Sequence, residues 1–286
     1  MILSIEGEKA SGKTTLALSA PLPMVSFNFD MGIERAIKGG KYEELFAGLD
    51  ILIVPYSKDA TQLGDVPPWE GHDITIFELP TPIQLDSMRL MGNIALWTYF
   101  VNLAAAALAD PKVPTIGVDT MTMARRTKAS ANLENLQNAA YDDQGNRIGS
   151  VRPREQLQQI EYGKVNNAIR DVYVTAEGSK KNLIATHHIT DERKAMPGAD
   201  GRIEQTLTGN RVLEGLGDTH NFVDVAILMS EEDGEIKGTL LKNGYNIAQK
   251  GIVLNNPTWD SIANLIAMGT GDRIEIGRRN NAHTTS

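Results

Sequence analysis

Gly7-Glu8-Lys9-Ala10-Ser11-Gly12-Lys13-Thr14 meets the pattern G-x-x-x-x-G-K-[ST] at every fixed position. Each constraint in that pattern has a chemical cause. Glycines let the backbone turn tightly enough for successive N–H groups to converge on phosphate oxygens at the start of a helix. A lysine at the end of the turn can reach the β- and γ-phosphates, and the hydroxyl after it can ligate Mg²⁺. The chain is therefore expected to hold the phosphates of a nucleoside triphosphate on Gly7, Glu8, Lys9, Ala10, Ser11, Gly12, Lys13, Thr14 and Thr15, with Thr14 on the metal. The flanks agree. Residues 2–5 read as a short buried strand, and 15–20 as a helix stopped by Pro21.

Such a site needs a second carboxylate for the metal, placed at the end of a neighbouring strand. The apolar run 115–118 ends in Asp119, which fits that role; its competing reading is a cap for the helix that follows. Hydrolysis also needs a group that orients or deprotonates water. Asp30 ends the strand read at 24–29, and it is either that group or the N-cap of the next helix. His187 and His188 close the strand read at 182–186. One of them would sense the γ-phosphate or relay that signal to the following loop; the alternative is a histidine hydrogen-bonded at a strand end.

Elements must bring these groups together. Further strands are expected at 51–54, 74–79, 222–229, 235–241 and 245–253, and helices at 33–45, 84–109, 122–138, 153–176 and 258–268. Residues 64–71, with two prolines, read as a surface loop, as do 141–150. The polar stretch 189–221 carries five glycines and reads as a long mobile functional loop. Strands alternating with helices imply an α/β fold. Its sheet is mainly parallel, with helices on both faces, the ligand at the strands' carboxyl ends and an antiparallel hairpin at one C-terminal edge.

Composition bounds the rest. With 286 residues, 41% apolar and 22% charged, the chain suits one globular domain with insertions around 55–80 and 120–155; the tail at 278–286 is expected to be disordered. The absence of cysteine excludes disulfides and thiolate metal sites. The run 94–109 is too short to span a bilayer, and a strand beginning at residue 2 leaves no place for a leader, so a cytoplasmic protein is expected. A net charge of −8 argues against coating nucleic acid by bulk positive charge, though not against a local basic groove.

The order GEKASGKTT, a strand ending in Asp30, TIGVDT, a helix containing Glu161-Tyr162-Gly163-Lys164, then NLIATHH resembles the RecA-superfamily core. More closely it resembles the phage P-loop nucleotide-binding proteins (AAA-type ATPases) of that superfamily, some of which are single-strand annealing recombination proteins. The resemblance implies a RecA-like P-loop ATPase core over 1–277, ATP and Mg²⁺ as ligands, Lys13 and Thr14 on phosphate and metal, and Asp119 as the Walker B acid. Asp30 stands where the superfamily usually has a catalytic glutamate, and His188 where many relatives carry a glutamine that reports on the γ-phosphate. Lys242 matches the lysine of a Lys-Asn-Arg motif that acts in trans on a neighbouring subunit, the arginine being replaced by Gly244. The same resemblance implies a homo-oligomer and single-stranded DNA as partner, with the host cytoplasm as location.

The DNA expectation has residues behind it. Arg147, Arg152 and Arg154 cluster beside Tyr141, a set suited to phosphate contacts with a stacking partner. Residues 121–154 hold six Lys/Arg against three Asp/Glu, a local excess of positive charge, whereas 189–221 hold four against six. The favoured reading is an ATP-binding and ATP-hydrolysing protein that acts on single-stranded DNA in phage recombination or replication, by annealing or strand loading. Two rivals stand beside it: a P-loop phosphotransferase with 147–154 as a lid, and a nucleotide-gated DNA-binding module with little turnover.

Overall fold

In the computed structural model, the described residues are 1–38, 43–57, 67–84, 89–142, 146–149, 153–197 and 203–270. The buried apolar runs of the sequence form the strands β1 (Ile2–Gly7), β2 (Met24–Asn28), β3 (Ile51–Val54), β4 (Ile74–Glu78) and β5 (Thr115–Asp119). They continue with β6 (Asn182–Pro197), β7 (Ile203–Leu213), β8 (Val225–Glu232), β9 (Glu235–Asn243) and β10 (Val253–Asn255). The helices are α1 (Lys13–Leu18), α2 (Ile33–Lys38), α3 (Asn93–Ala109), α4 (Met121–Asn138), α5 (Tyr162–Gly178) and α6 (Trp259–Thr270).

The sheet runs β10-β9-β8-β1-β6-β5-β2-β4-β3, with β7 paired only to β6. From β8 to β3 every pairing is parallel, and β9 and β10 add an antiparallel edge. The fold class expected from the sequence is thus the one observed. Alternation along the strands divides the core between the two faces. Val25, Phe27, Val118, Leu183 and Ala185 face the aromatic layer of α3, α4 and α5, where Phe100 and Tyr173 are buried. Leu3, Ile5, Met24, Ile76, Ile184 and Ile227 face the other side, under Leu16 of α1, Ile33 of α2 and Trp259 of α6.

Several expected elements end elsewhere, each for a physical reason. The helix expected from residue 84 starts at Asn93, because Gly92 sits in the left-handed region at φ 87° and Glu134 of α4 caps the helix from outside its sequence. The helix expected at 153–176 begins at Tyr162, after a tight turn over Gln159–Glu161 in which Glu161 accepts from the Gln158 N–H at 2.6 Å. Helix 33–45 becomes α2 and a separate short turn at Glu43–Leu45. Where a strand was expected at 245–253, Asn243 and Asn246 accept backbone N–H groups and fold a turn before β10.

The largest correction concerns 189–221. Instead of a mobile loop, β6 runs on beyond the sheet and pairs with β7 as a two-stranded antiparallel arm, from Ile189↔Leu213 to Pro197↔Ile203, with a bulge between Asp191 and Arg193. Both faces of this arm meet solvent, so no apolar alternation marks it, and its backbone ladder is what holds it. Of the ranges expected as insertions, 74–78 is sheet strand β4 and 121–138 is helix α4. The expected tail, 278–286, lies outside the described residues.

Candidate functional site

The loop from Gly7 to Thr14 leaves the carboxyl end of β1 in the middle of the parallel block, where neighbouring loops diverge and a crevice opens. Gly7 is needed for close approach: a Cβ there would lie 2.6 Å from the Met229 carbonyl oxygen and 2.6 Å from Ser11 Oγ. Gly12 is needed for its left-handed backbone, φ 82°, immediately before α1. Ser11 Oγ donates to the Glu8 carbonyl at 2.9 Å and braces the turn.

Lys13 is buried at the base of this loop, its Nζ donating to the Gly7 carbonyl at 3.1 Å and to the Glu8 carbonyl. Burial pushes its pKa down, and Asp119, Asp30 and Glu8 pull it back up. Thr14 Oγ1 donates to Asp119 Oδ2 at 2.7 Å, although 105 residues separate them. The other oxygen of Asp119 accepts from the Thr186 hydroxyl. Asp119 is 4% exposed, and burial raises its pKa against the two hydroxyl hydrogen bonds.

The sheet order explains these meetings. β6 lies between β1 and β5, so Thr186 sits between the loop strand and the Asp119 strand, and Asn28 of β2 stands opposite Asp119 on the far side. Asp30, two residues past the end of β2, therefore faces the same crevice. His188 Nε2 lies 3.6 Å from Asp30 Oδ2 and is buried without a hydrogen bond among the described residues, while the His188 N–H donates to Thr122 Oγ1 at 3.0 Å. Its neighbour His187 faces the opposite side of the strand, in the core, with Nε2 3.0 Å from the Tyr173 hydroxyl. Lys9, Ala10, Ser11, Gly12, Thr15 and Asp30 line a cleft of about 530 Å³ together with Lys13, Thr14 and Asp119.

The donor set suits a small hard cation. A hydroxyl and a carboxylate already touch, both oxygen ligands, and Mg²⁺ ordinarily takes one or two protein oxygens with the remainder from phosphate and water. No cluster of three or more His, Cys, Asp or Glu that could hold a metal ion occurs among the described residues.

Arg154, Arg147 and Lys242 are not among the residues that line the cleft. Arg154 is engaged by Glu161 through two parallel hydrogen bonds of 2.6 and 2.9 Å. Arg147 is exposed and forms an isolated bridge with Tyr141, whose ring carries the Arg89 guanidinium 4.1 Å from its centre. Arg152 lies outside the described residues. Lys242 donates to the carbonyls of His220 and Val223 at 2.7 and 2.6 Å, tying β9 to the turn before β8.

Sequence reasoning missed four contributors. Thr186 was within reach, since it lies two residues before His188 on the same strand face. Ile236, whose side chain meets the Gly12 position at 3.1 Å, belongs to β9, a strand with no motif. Arg35 of α2 lines the cleft, and Arg211 of the β6–β7 arm pairs with Glu8 of the loop at 2.7 Å and with Asp191 at 3.3 Å. Neither arginine stands in any recognisable pattern.

No family profile matches the chain, and no curated protein sequence does. Among solved structures the chain is similar to a KaiC-like protein from the hyperthermophilic archaeon Pyrococcus horikoshii, at 10% identity and TM-score 0.40, covering 89% of this chain and 83% of that one. It is also similar to a RadB recombinase, at 13% identity and TM-score 0.42, over 89% and 85% of the two chains. Among the described residues no helix is long and apolar enough to cross a membrane.

Proposed function

We propose that the chain binds ATP with Mg²⁺ at the Gly7–Thr14 loop and hydrolyses it, as a RecA-like ATPase acting on single-stranded DNA. The observation that carries the nucleotide reading is the meeting of Lys13 and Thr14 of α1 with Asp119 of β5 and Asp30 after β2 at one crevice, with His188 of β6 lying 3.6 Å from Asp30. Entering phosphates would take the Lys13 ammonium from the Gly7 and Glu8 carbonyls it now serves. Thr14 and Asp119 would hold the magnesium, which neutralises charge on the phosphate oxygens. Asp30, half-exposed at the cleft, would orient or deprotonate the attacking water. His188, whose Nε2 has no other partner among the described residues, would register the γ-phosphate and pass the change into the β6–β7 arm that begins at the next residue.

The DNA reading rests on the exposed Arg147 beside Tyr141 and on the local positive excess in 121–154. Arg154 is paired to Glu161, and Arg147, Arg152 and the Arg89–Tyr141 stack are the groups that would meet phosphate and base. Annealing or strand loading, self-association and a trans-acting Lys242 belong to the same proposal. One experiment tests it: ATP turnover with and without single-stranded DNA, at low and raised salt, for wild type, Lys13→Ala and Asp30→Asn. Turnover is expected to rise with DNA, to lose that rise in salt, to vanish in Lys13→Ala and to fall at least tenfold in Asp30→Asn. Turnover indifferent to DNA but stimulated by a nucleoside monophosphate would replace this reading with a phosphotransferase.

A further inference from the structure

We propose that Arg35 grips the terminal phosphate of the bound triphosphate from within the same chain, and so separates triphosphate from diphosphate. The inference rests on the nucleotide reading of the cleft and adds a residue to it.

α2 divides its side chains three ways. Ile33 and Ile37 pack into the core, and Glu34 and Lys38 pair with each other on the outside at 3.6 Å. Gly32, Arg35 and Ala36, at helical spacing, are left to line the cleft with Lys13, Thr14, Asp30 and Asp119. The guanidinium folds back over Gly32, Nη2 standing 3.4 Å from where a Cβ would be, in van der Waals contact with that position. Among the described residues Arg35 has no ion pair and no hydrogen bond, although three carboxylates, Asp30, Asp119 and Glu231, line the same cleft.

The charges explain why this matters. Lys13 sits at the loop end of the cleft, and the two aspartates and Glu231 add negative charge to a site meant for a polyanion. A planar fork of N–H donors opposite the loop suits two non-bridging oxygens of one phosphate better than a second ammonium would. α2 packs beside α1 and follows directly on Asp30, which puts Arg35 on the side where the phosphate chain ends rather than where it begins. A diphosphate would leave the fork empty.

The test is equilibrium binding of a non-hydrolysable ATP analogue and of ADP, each with Mg²⁺, to wild type, Arg35→Ala, Arg35→Lys and, as a charge control on the outer face, Lys38→Ala. Arg35→Ala is expected to weaken the triphosphate analogue about tenfold while ADP changes by less than about twofold. Turnover should fall more than tenfold. Arg35→Lys should recover only part of the analogue's affinity, and Lys38→Ala should match wild type. Equal weakening of both nucleotides, or no change in either, would overturn the proposal while leaving the nucleotide site standing. Wild type that binds neither nucleotide, or Lys13→Ala that binds both as well as wild type, would remove the nucleotide reading itself and this proposal with it.

Discussion

Asp119 is a carboxylate held almost wholly out of water, and its two oxygens are assigned to different hydroxyls. Oδ2 takes the Thr14 hydrogen bond and Oδ1 takes that of Thr186. A buried carboxylate without such partners would be strongly disfavoured as an anion, so the threonines fix both its charge and its direction. Thr186 acts at one remove, orienting a ligand that the metal would touch. Thr186→Val keeps the shape and deletes the donor. The magnesium concentration needed for half-maximal nucleotide binding is expected to rise roughly tenfold in that variant, and thermal stability to fall because Asp119 Oδ1 loses its donor. An unaltered magnesium requirement in a titration against wild type would show that Thr186 merely fills space.

Elements in this chain are stabilised largely by side chains that belong to other elements. Glu134, near the end of α4 and 8% exposed, accepts from the backbone N–H groups of Gly92, Asn93 and Ile94 at 3.0, 2.7 and 3.0 Å, and so caps α3 across the helix pair. Glu134→Ala would strand those three donors, and urea denaturation is expected to show a loss of about 1–3 kcal/mol; a midpoint equal to wild type would mean that water replaces the cap. This dependence also marks what could be read from the chain. The strands that carry Asp119 and His188 were legible because each is a short apolar run closed by a polar residue, and the phosphate loop because its glycines and lysine admit few alternatives. The start of α3 was not, since Leu85, Met88 and Leu90 continue the helical period through Gly92 while the cap comes from 42 residues away. The β6–β7 arm was illegible for the opposite reason, with solvent on both faces and no period to detect. Arg35 has no signature in sequence: on a six-residue helix it looks like any solvated arginine until the fold puts a cleft in front of it.

At the scale of the whole molecule, two histidines around Glu6 respond to acid and base in opposite senses. Glu6, on β1 directly before the phosphate loop, is 3% exposed and lies opposite His187 in the β1–β6 register. His220 Nε2 is 2.5 Å from Glu6 Oε1, and that hydrogen bond raises the His220 pKa against partial burial. His187, sealed in the core against Tyr173, is pushed down to about 3 by burial. The signs follow by linkage. For His220 the folded value exceeds the unfolded one near 6.5, so its stabilisation is complete below that pH and is lost as pH rises through the folded value. For His187 the unfolded chain takes up the proton first, so stability declines as pH falls from about 6.5 toward 3. Urea midpoints measured from pH 5 to 9 should therefore pass through a maximum near neutrality. Glu6→Gln is expected to flatten the alkaline limb selectively, and His187→Gln the limb between pH 5 and 6.5, a window that lies above the ordinary carboxylate range. Because β1 continues into the loop that bears Lys13, a Glu6→Gln chain with an unchanged alkaline limb would mean that the His220 contact is not formed in solution, and with it would go the electrostatic tie between the turn before β8 and β1.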